Sequence, residues 1–216
     1  MTRRIKLDIP GADWRVGLDE ATAKGWPALF AGDVADPLPL VVELGFGRGE
    51  FLLDLATREP QQAFVGVEVS FKRTLKMARR LARLPLRNLR LLQGLAESAV
   101  REALPDASVA CFWINFPDPW PKARHARRRL VQPPFVELLS RRLAPGGALR
   151  VATDDPDYAA WIDEVLRGAP ELENRHAPEP FLRHEEGRMP TAYELEWRAL
   201  GRPLHFFHYA RISADR

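Results

Sequence analysis

Apolar and polar positions alternate along this chain in a repeating order: a short apolar run, a polar or glycine-bearing turn, then a stretch with helical spacing. Leu40-Val41-Val42-Glu43-Leu44 predicts a first buried strand, and residues 50–58 a helix with Phe51, Leu52, Leu55 and Ala56 on one face. Residues 63–68 predict a second strand, 71–84 a helix with a basic outer face, 88–92 a third strand and 108–114 a fourth. A helix over 130–143, stopped by Ala144-Pro145-Gly146-Gly147, precedes a fifth strand at 148–152 and a helix at 157–166. The proline- and glutamate-rich stretch 169–190 reads as a long loop. A short helix at 191–200, ended by Gly201, and an aromatic strand at 204–212 close the pattern. Residues 1–37 carry no clear periodicity. They are expected to form an extension packed on a main domain of residues 38–216, over its cofactor or RNA face.

Strands alternating with helices argue for an α/β fold with a parallel sheet covered on both faces. In such folds ligands bind at the carboxyl ends of the strands. Here those ends carry Glu43, Glu68, the stretch Asn115 to Asp118, and Asp154, which the topology gathers on one rim.

Composition narrows the class. The chain has 216 residues, 46% hydrophobic and 28% charged, enough for one domain with a large core. The single cysteine, Cys111, lies in an apolar run and reads as an inert buried thiol. No apolar stretch is long enough to span a membrane, and the charged start lacks the apolar region of a signal peptide. A cytoplasmic protein is therefore expected. His205 and His208 share a strand without a third ligand, so no metal is expected. Trp14, Trp26, Trp161 and Trp197 read as packing residues. The net charge of +3 is slight, but its distribution is uneven.

Glu43-Leu44-Gly45-Phe46-Gly47-Arg48-Gly49 ends a strand and opens a helix, where glycines let a ligand approach the backbone and free N–H groups face it. A dinucleotide loop needs glycine or alanine where this chain has Glu50, and a carboxylate there repels a pyrophosphate. That argues against a nicotinamide dehydrogenase and favours a cationic ligand without phosphates. S-adenosylmethionine fits: its carboxylate can meet loop N–H groups, while Glu43 attracts its ammonium or sulfonium end. Glu68, 19 residues past Gly49, can accept hydrogen bonds from both ribose hydroxyls.

Asn115-Phe116-Pro117-Asp118-Pro119-Trp120-Pro121-Lys122 is stiffened by its prolines, so Asp118 and Trp120 are held in place, the ring suited to stacking on a base. Arg124, His125, Arg127, Arg128 and Arg129 follow without an acid between them, a pattern suited to phosphates. Arg3, Arg4, Lys6, Lys72, Arg73, Lys76, Arg79, Arg80 and Arg83 are candidates to extend this surface.

These segments, with Gly66-Val67-Glu68-Val69, Ala152-Thr153-Asp154-Asp155 and Thr191-Ala192-Tyr193-Glu194, resemble in order the tRNA (guanine-N7-)-methyltransferase family over about residues 38–212. The resemblance implies a Rossmann-like class I S-adenosylmethionine-dependent methyltransferase with a mostly parallel seven-stranded sheet. It implies that Glu43, Gly45, Gly47, Glu68 and Asp118 bind S-adenosylmethionine, with Asp118 catalytic. Lys122, Asp154, Thr191, Ala192, Tyr193 and Glu194 would bind the guanosine, a variable-loop base, and Arg124, His125, Ala126, Arg127, Arg128 and Arg129 the tRNA. No obligatory protein partner is implied, and the enzyme would be a monomer or homodimer.

One position departs from the family: where an acid or amide usually meets the adenine, this chain has Leu95, so either a backbone amide serves there or Glu97 reaches across. Thr191 and Glu194 also form the pattern of a helix capping box, which is compatible with a substrate role. Guanine N7 has a lone pair and no proton to lose, so the transfer needs no general base; Asp118 and Asp154 would counter the charge that develops on the base. Two other readings remain: methylation of another RNA or of a protein amine, and a non-catalytic RNA-binding module with a degenerate cofactor pocket.

Overall fold

The computed structural model describes residues 7–213, so Arg3, Arg4 and Lys6 lie outside the described residues. The sheet has eight strands, one more than expected: β1 (Arg15–Val16), β2 (Leu40–Leu44), β3 (Phe64–Glu68), β4 (Leu89–Gln93), β5 (Val109–Asn115), β6 (Leu143–Thr153), β7 (Leu172–Asn174) and β8 (His205–Arg211). Their order is β1-β4-β3-β2-β5-β6-β8-β7. The first six are parallel, and β8 runs antiparallel to β6 and to β7. Every position of β2 and β3 is buried, as continuous apolar runs covered on both faces require.

Helices α1 (Leu18–Lys24), α2 (Trp26–Leu29), α3 (Glu50–Arg58), α4 (Phe71–Leu81), α5 (Ala96–Ser98), α6 (Pro133–Arg142), α7 (Pro156–Arg167) and α8 (Ala192–Ala199) connect or flank the strands. A wide π turn at Ala99–Ala103 and a 3-10 turn at Ala123–Arg128 complete the elements named here. α3 starts where expected because Gly49 takes a left-handed φ of 78°, and a Cβ there would lie 2.5 Å from Met77 Sδ. Only glycine lets the loop and α4 pack this closely.

Two expectations are corrected. The helix at 130–143 ends at Arg142, and the segment 144–147 is not a break: β6 already begins at Leu143, opposite Val109. A register slip between Val109 and Cys111 absorbs the extra residues, and Gly147 fits where a Cβ would lie 2.9 Å from the carbonyl oxygens of Ala144 and Val109. The loop at 169–190 contains β7, which adds to the sheet through β8. Residues 7–37 are built into the sheet edge and core: β1 pairs with Leu91 and Leu92, and Trp26 and Phe30 are fully buried. The Trp26 indole donates to the Ala103 carbonyl at 2.6 Å, and Arg90 lies 4.5 Å from the Trp14 and Phe30 rings while binding Asp33. None of residues 7–37 is among the residues lining the cleft described below. Cys111 is half-buried rather than fully buried, and desolvation pushes its thiol up to about 12.

Candidate active site

The carboxyl ends of β2, β3 and β5 border a cleft of two lobes, about 340 and 360 Å³. Gly45, Arg73 and residues 115–118 belong to both walls. The first lobe adds Glu43, Gly47, Glu50 and, from the far side, Thr191 and Tyr193; the second adds Glu68, Leu95, Glu97, Trp120 and Arg128.

The end of β3 presents Glu68 ready-made as an acceptor. Its oxygens take the N–H groups of Gly47 at 3.0 Å and Ser70 at 2.9 Å, and Arg73 stands 3.7 Å away. Each carboxylate oxygen has a second lone pair, so hydroxyls entering the second lobe can still bind. The side chain is nearly inaccessible elsewhere, which fixes its orientation before any ligand arrives.

Glu43 forms part of the first lobe's wall. Asn115 Nδ2 donates to its Oε1 at 2.9 Å, while Oε2 is buried without a partner. Burial pushes this carboxyl up to about 7, aided by the negative Glu68 and Glu50 and opposed by the Asn115 hydrogen bond and the Arg188 charge. An orphaned buried oxygen is expensive unless a donor fills the site, and the cheapest donor here is a cation, which also favours the ionised form. Glu50 in the same wall weighs against a phosphate. The residues therefore fit an amino-acid-bearing, phosphate-free cationic cofactor.

The loop after β5 is held in an uncommon conformation. Phe116 and Trp120 both have positive φ, 53° and 45°, which for bulky residues costs on the order of 1–3 kcal/mol. The surroundings enforce it: the Phe116 N–H bonds the Ala152 carbonyl at 2.8 Å, and Arg129 Nε bonds the Pro119 carbonyl at 2.9 Å. Arg128 lies 5.0 Å over the Trp120 ring and His125 meets it edge-on at 5.8 Å. Asp118, by contrast, is exposed in both walls and forms no hydrogen bond or ion pair with the described residues. Trp120 is a braced wall of the second lobe, with Arg128 already over its ring.

The basic run divides by role. Lys122, Arg124 and Arg127 point to solvent, Lys122 outside both walls. His125, Arg128 and Arg129 brace the loop, Arg129 also lying 5.0 Å over Tyr158, and the Ala126 carbonyl accepts Gln132 Nε2 at 2.8 Å. Leu95 is exposed at the second lobe beside Glu97, and the Gly94 N–H donates to the Glu68 carbonyl.

On the far side, Thr191 caps α8 by accepting the Glu194 N–H at 3.0 Å. Ala192 is the first residue of that helix. Tyr193 packs on Phe116 at 5.2 Å and on Trp197 at 5.1 Å while facing the first lobe. Glu194 is not in the wall: it is buried, ion-paired with Arg188 and with Arg198 at 2.7 Å. Asp154 is likewise outside the wall, paired with Arg202 at 3.1 Å.

Sequence reasoning missed Arg188. Its side chain is 3% exposed, pairs with Glu194, donates to Asn115 Oδ1 at 2.6 Å and lies 3.7 Å from Glu185. Phe51, Trp113 and Phe206 surround its guanidinium at 5.0–5.8 Å. It thereby ties the segment before α8 to Asn115 and, through it, to Glu43. Nothing in the local pattern marks this arginine among the charges of its loop.

Comparison with known proteins adds the lineage. A family model described as a putative methyltransferase matches residues 37–207. The chain is 41% identical over 199 residues to a tRNA (guanine-N(7)-)-methyltransferase of Leifsonia xyli, covering 88% of each. It is 33% identical over 214 residues to one of Geobacter metallireducens, covering 99% of this chain and 98% of that one. One from Bordetella parapertussis is 45% identical over 178 residues, 81% of this chain and 68% of the relative. Among solved structures, the 16S rRNA methyltransferase KamB superposes with a TM-score of 0.62 at 18% identity, covering 87% and 94% of the two chains. The antibiotic-resistance methyltransferase Kmr gives 0.59 at 21%, covering 88% and 94%. At these identities the likeness is one of fold.

Proposed function

The chain belongs to the tRNA (guanine-N(7)-)-methyltransferase family, and from that premise we propose that it methylates N7 of a variable-loop guanosine in tRNA, using S-adenosylmethionine. The observation that carries this reading is the pairing of two carboxyls in one cleft: buried Glu43 with an unfilled oxygen, and unpartnered Asp118 shared by both lobes. The first suits the cation of the cofactor's amino-acid end; the second suits a base that becomes cationic.

Glu43 and the N–H groups of the Gly45–Gly47 loop would hold the amino-acid end, Glu68 the ribose, and the Leu95 backbone with Glu97 the adenine edge. When bound, the cofactor supplies an electrophilic methyl group. The chain's task is then positioning and charge. Guanine N7 presents a lone pair and loses no proton, so no side chain needs to act as a general base. Aligning two bound reactants contributes as much as about 7–11 kcal/mol in well-oriented systems. Asp118 would face the reacting base and counter its growing positive charge. Thr191 and Tyr193 would border the base from the α8 side. We assign Glu194 and Asp154 to holding Arg188, Arg198 and Arg202, and Lys122, Arg124 and Arg127 to the RNA backbone.

No helix among the described residues is long and apolar enough to cross a membrane. We propose a cytoplasmic enzyme that needs no protein partner for its chemistry, as a monomer or homodimer. The test is transfer of labelled methyl from S-adenosylmethionine to unmodified tRNA, followed by nucleoside analysis. Label in 7-methylguanosine supports the reading. Label in another nucleoside overturns the N7 assignment, and label in rRNA or protein alone overturns the tRNA assignment.

A further inference from the structure

Many cations on this protein are matched to acids: Arg15, Arg58, Arg142, Arg167, Arg175 and Arg202, for example, each meet a carboxylate within 4.0 Å. Among the described cations without an ion pair, two groups are clustered near the cleft. One is the turn bearing Arg124 and Arg127. The other is the outer face of α4, where Lys72, Lys76, Arg80 and, just beyond the helix end, Arg83 are exposed and form no ion pair among the described residues.

Local stability argues against this arrangement. Lys72, Lys76 and Arg80 stand four residues apart, so like charges lie one above another, each pair costing about 0.2–0.5 kcal/mol in an isolated helix. Lys72 and Arg73 occupy the first turn, where the helix dipole favours acids, and no acid is present there. The helix is retained by its opposite face, where Leu75, Met77, Ala78 and Leu81 are buried. The dipole favours Arg80 in the last turn, so the cost falls on Lys72 at the first turn and on the like-charge stacking; cations stacked in this way, and left without acids among the described residues, point to an external anion.

The stripe is continuous with the cleft. Arg73, at its upper end, lines both lobes, and Arg128 from the other unpaired group lines the second. In the sheet, α4 packs beside β3 and β4, whereas the basic turn follows β5, so the two groups flank the mouth from either side of β2. Along the helix the cations rise about 6 Å per step, a repeat suited to successive phosphates of one strand.

We propose that the outer face of α4 is a second tract for the phosphate backbone of the RNA substrate, so that the RNA bearing the target base is held on both sides of the cleft. The proposal rests on the tRNA reading above. It commits to backbone contact without base readout, because lysines and arginines on a solvent face meet phosphate without reading sequence.

The test compares the full-length protein with a variant carrying Lys72→Ala, Lys76→Ala, Arg80→Ala and Arg83→Ala; alanine keeps the helix. Arg101→Ala, an exposed unpaired arginine away from the cleft, is the control. Each phosphate contact contributes about 0.7–0.9 to the slope of log affinity against log salt, so the fourfold variant should lose about 3 from that slope. A fourfold rise in salt from 50 to 200 mM then shrinks the unaltered protein's advantage by about 60-fold. KM for tRNA should rise about 60-fold or more at 50 mM salt, with kcat and S-adenosylmethionine affinity unchanged. If the unaltered protein methylates tRNA and the variant shows the same KM and salt slope, the α4 tract is wrong while the tRNA reading survives. If the unaltered protein leaves tRNA unmethylated, the tRNA reading itself falls, and this inference with it.

Discussion

Replacing Arg188 with methionine should unsettle both the stability of this protein and the pH at which it holds its cofactor. Methionine fills much of the space between Phe51, Trp113 and Phe206, so the cavity left is small. What is lost is the charge. Removing one partner of a buried pair costs about 3–5 kcal/mol. Glu194 keeps Arg198 and Glu185 keeps Arg150, so the cost belongs at the lower end, about 3 kcal/mol, arising mainly from the orphaned Glu194 Oε2 and Asn115 Oδ1. At about 2–4 °C per kcal/mol for a domain of this size, the melting temperature should fall by roughly 6–12 °C.

The second effect runs through Glu43. Its carboxyl sits at about 7, and Arg188 is one of the groups holding it down, so the variant's Glu43 should titrate higher still. Because this folded-state value lies above the ordinary 4.5, the group's share of stability is complete below 4.5 and is lost as pH rises through about 7. Cofactor binding runs the other way. A cation favours ionised Glu43, so affinity should climb about tenfold per pH unit below the carboxyl's titration point and level off above it. Thermal unfolding and calorimetric titration of S-adenosylmethionine from pH 5.5 to 8.5 read both effects. A melting temperature within about 2 °C of the unaltered protein, with the affinity plateau at the same pH, would refute the argument.

Asp118→Ala should lower turnover by orders of magnitude at an unchanged melting temperature, because the side chain is exposed and unpartnered; single-turnover methylation of tRNA checks it, and near-normal rates would remove Asp118 from the chemistry. Glu43→Gln keeps an acceptor for Asn115 but removes the charge, so S-adenosylmethionine should bind about 10–100-fold more weakly at pH 8, with its pH dependence between 5.5 and 7.5 abolished. Thr191→Ala should cost about 1 kcal/mol through the lost cap, and Thr191→Ser should restore it; if serine restores the melting temperature but not KM for tRNA, the threonine side chain also serves the substrate.

Much of the architecture was legible along the chain because it is encoded locally. The apolar runs at 40–44 and 64–68 are buried on both faces and need no partner to be recognised, and the helix at 50–58 announces itself by spacing. Gly45, Gly47 and Gly49 next to Glu50 already describe a loop that admits a backbone-bound ligand and repels a phosphate. The proline-rich loop marks Asp118 in the sequence because prolines on both sides of it fix the backbone. Where pairing partners lie far apart, local pattern is silent. The two-residue β1 and three-residue β7 are too short to carry a period and exist because β4 and β8 offer them edges. Residues 144–147 read as a stop, yet they continue a strand because β5 slips its register beside them. Arg188 reaches Asn115 across 73 positions, and Asn115 reaches Glu43 across 72. Tertiary packing therefore determined that Glu194 is a buried counter-ion, that Asp154 is tied to Arg202, and that Glu43 titrates near neutrality. The physical reason is that periodicity records which face of an element is apolar, whereas the charge state and freedom of a carboxylate depend on burial and partners that only the folded chain brings within a few ångströms.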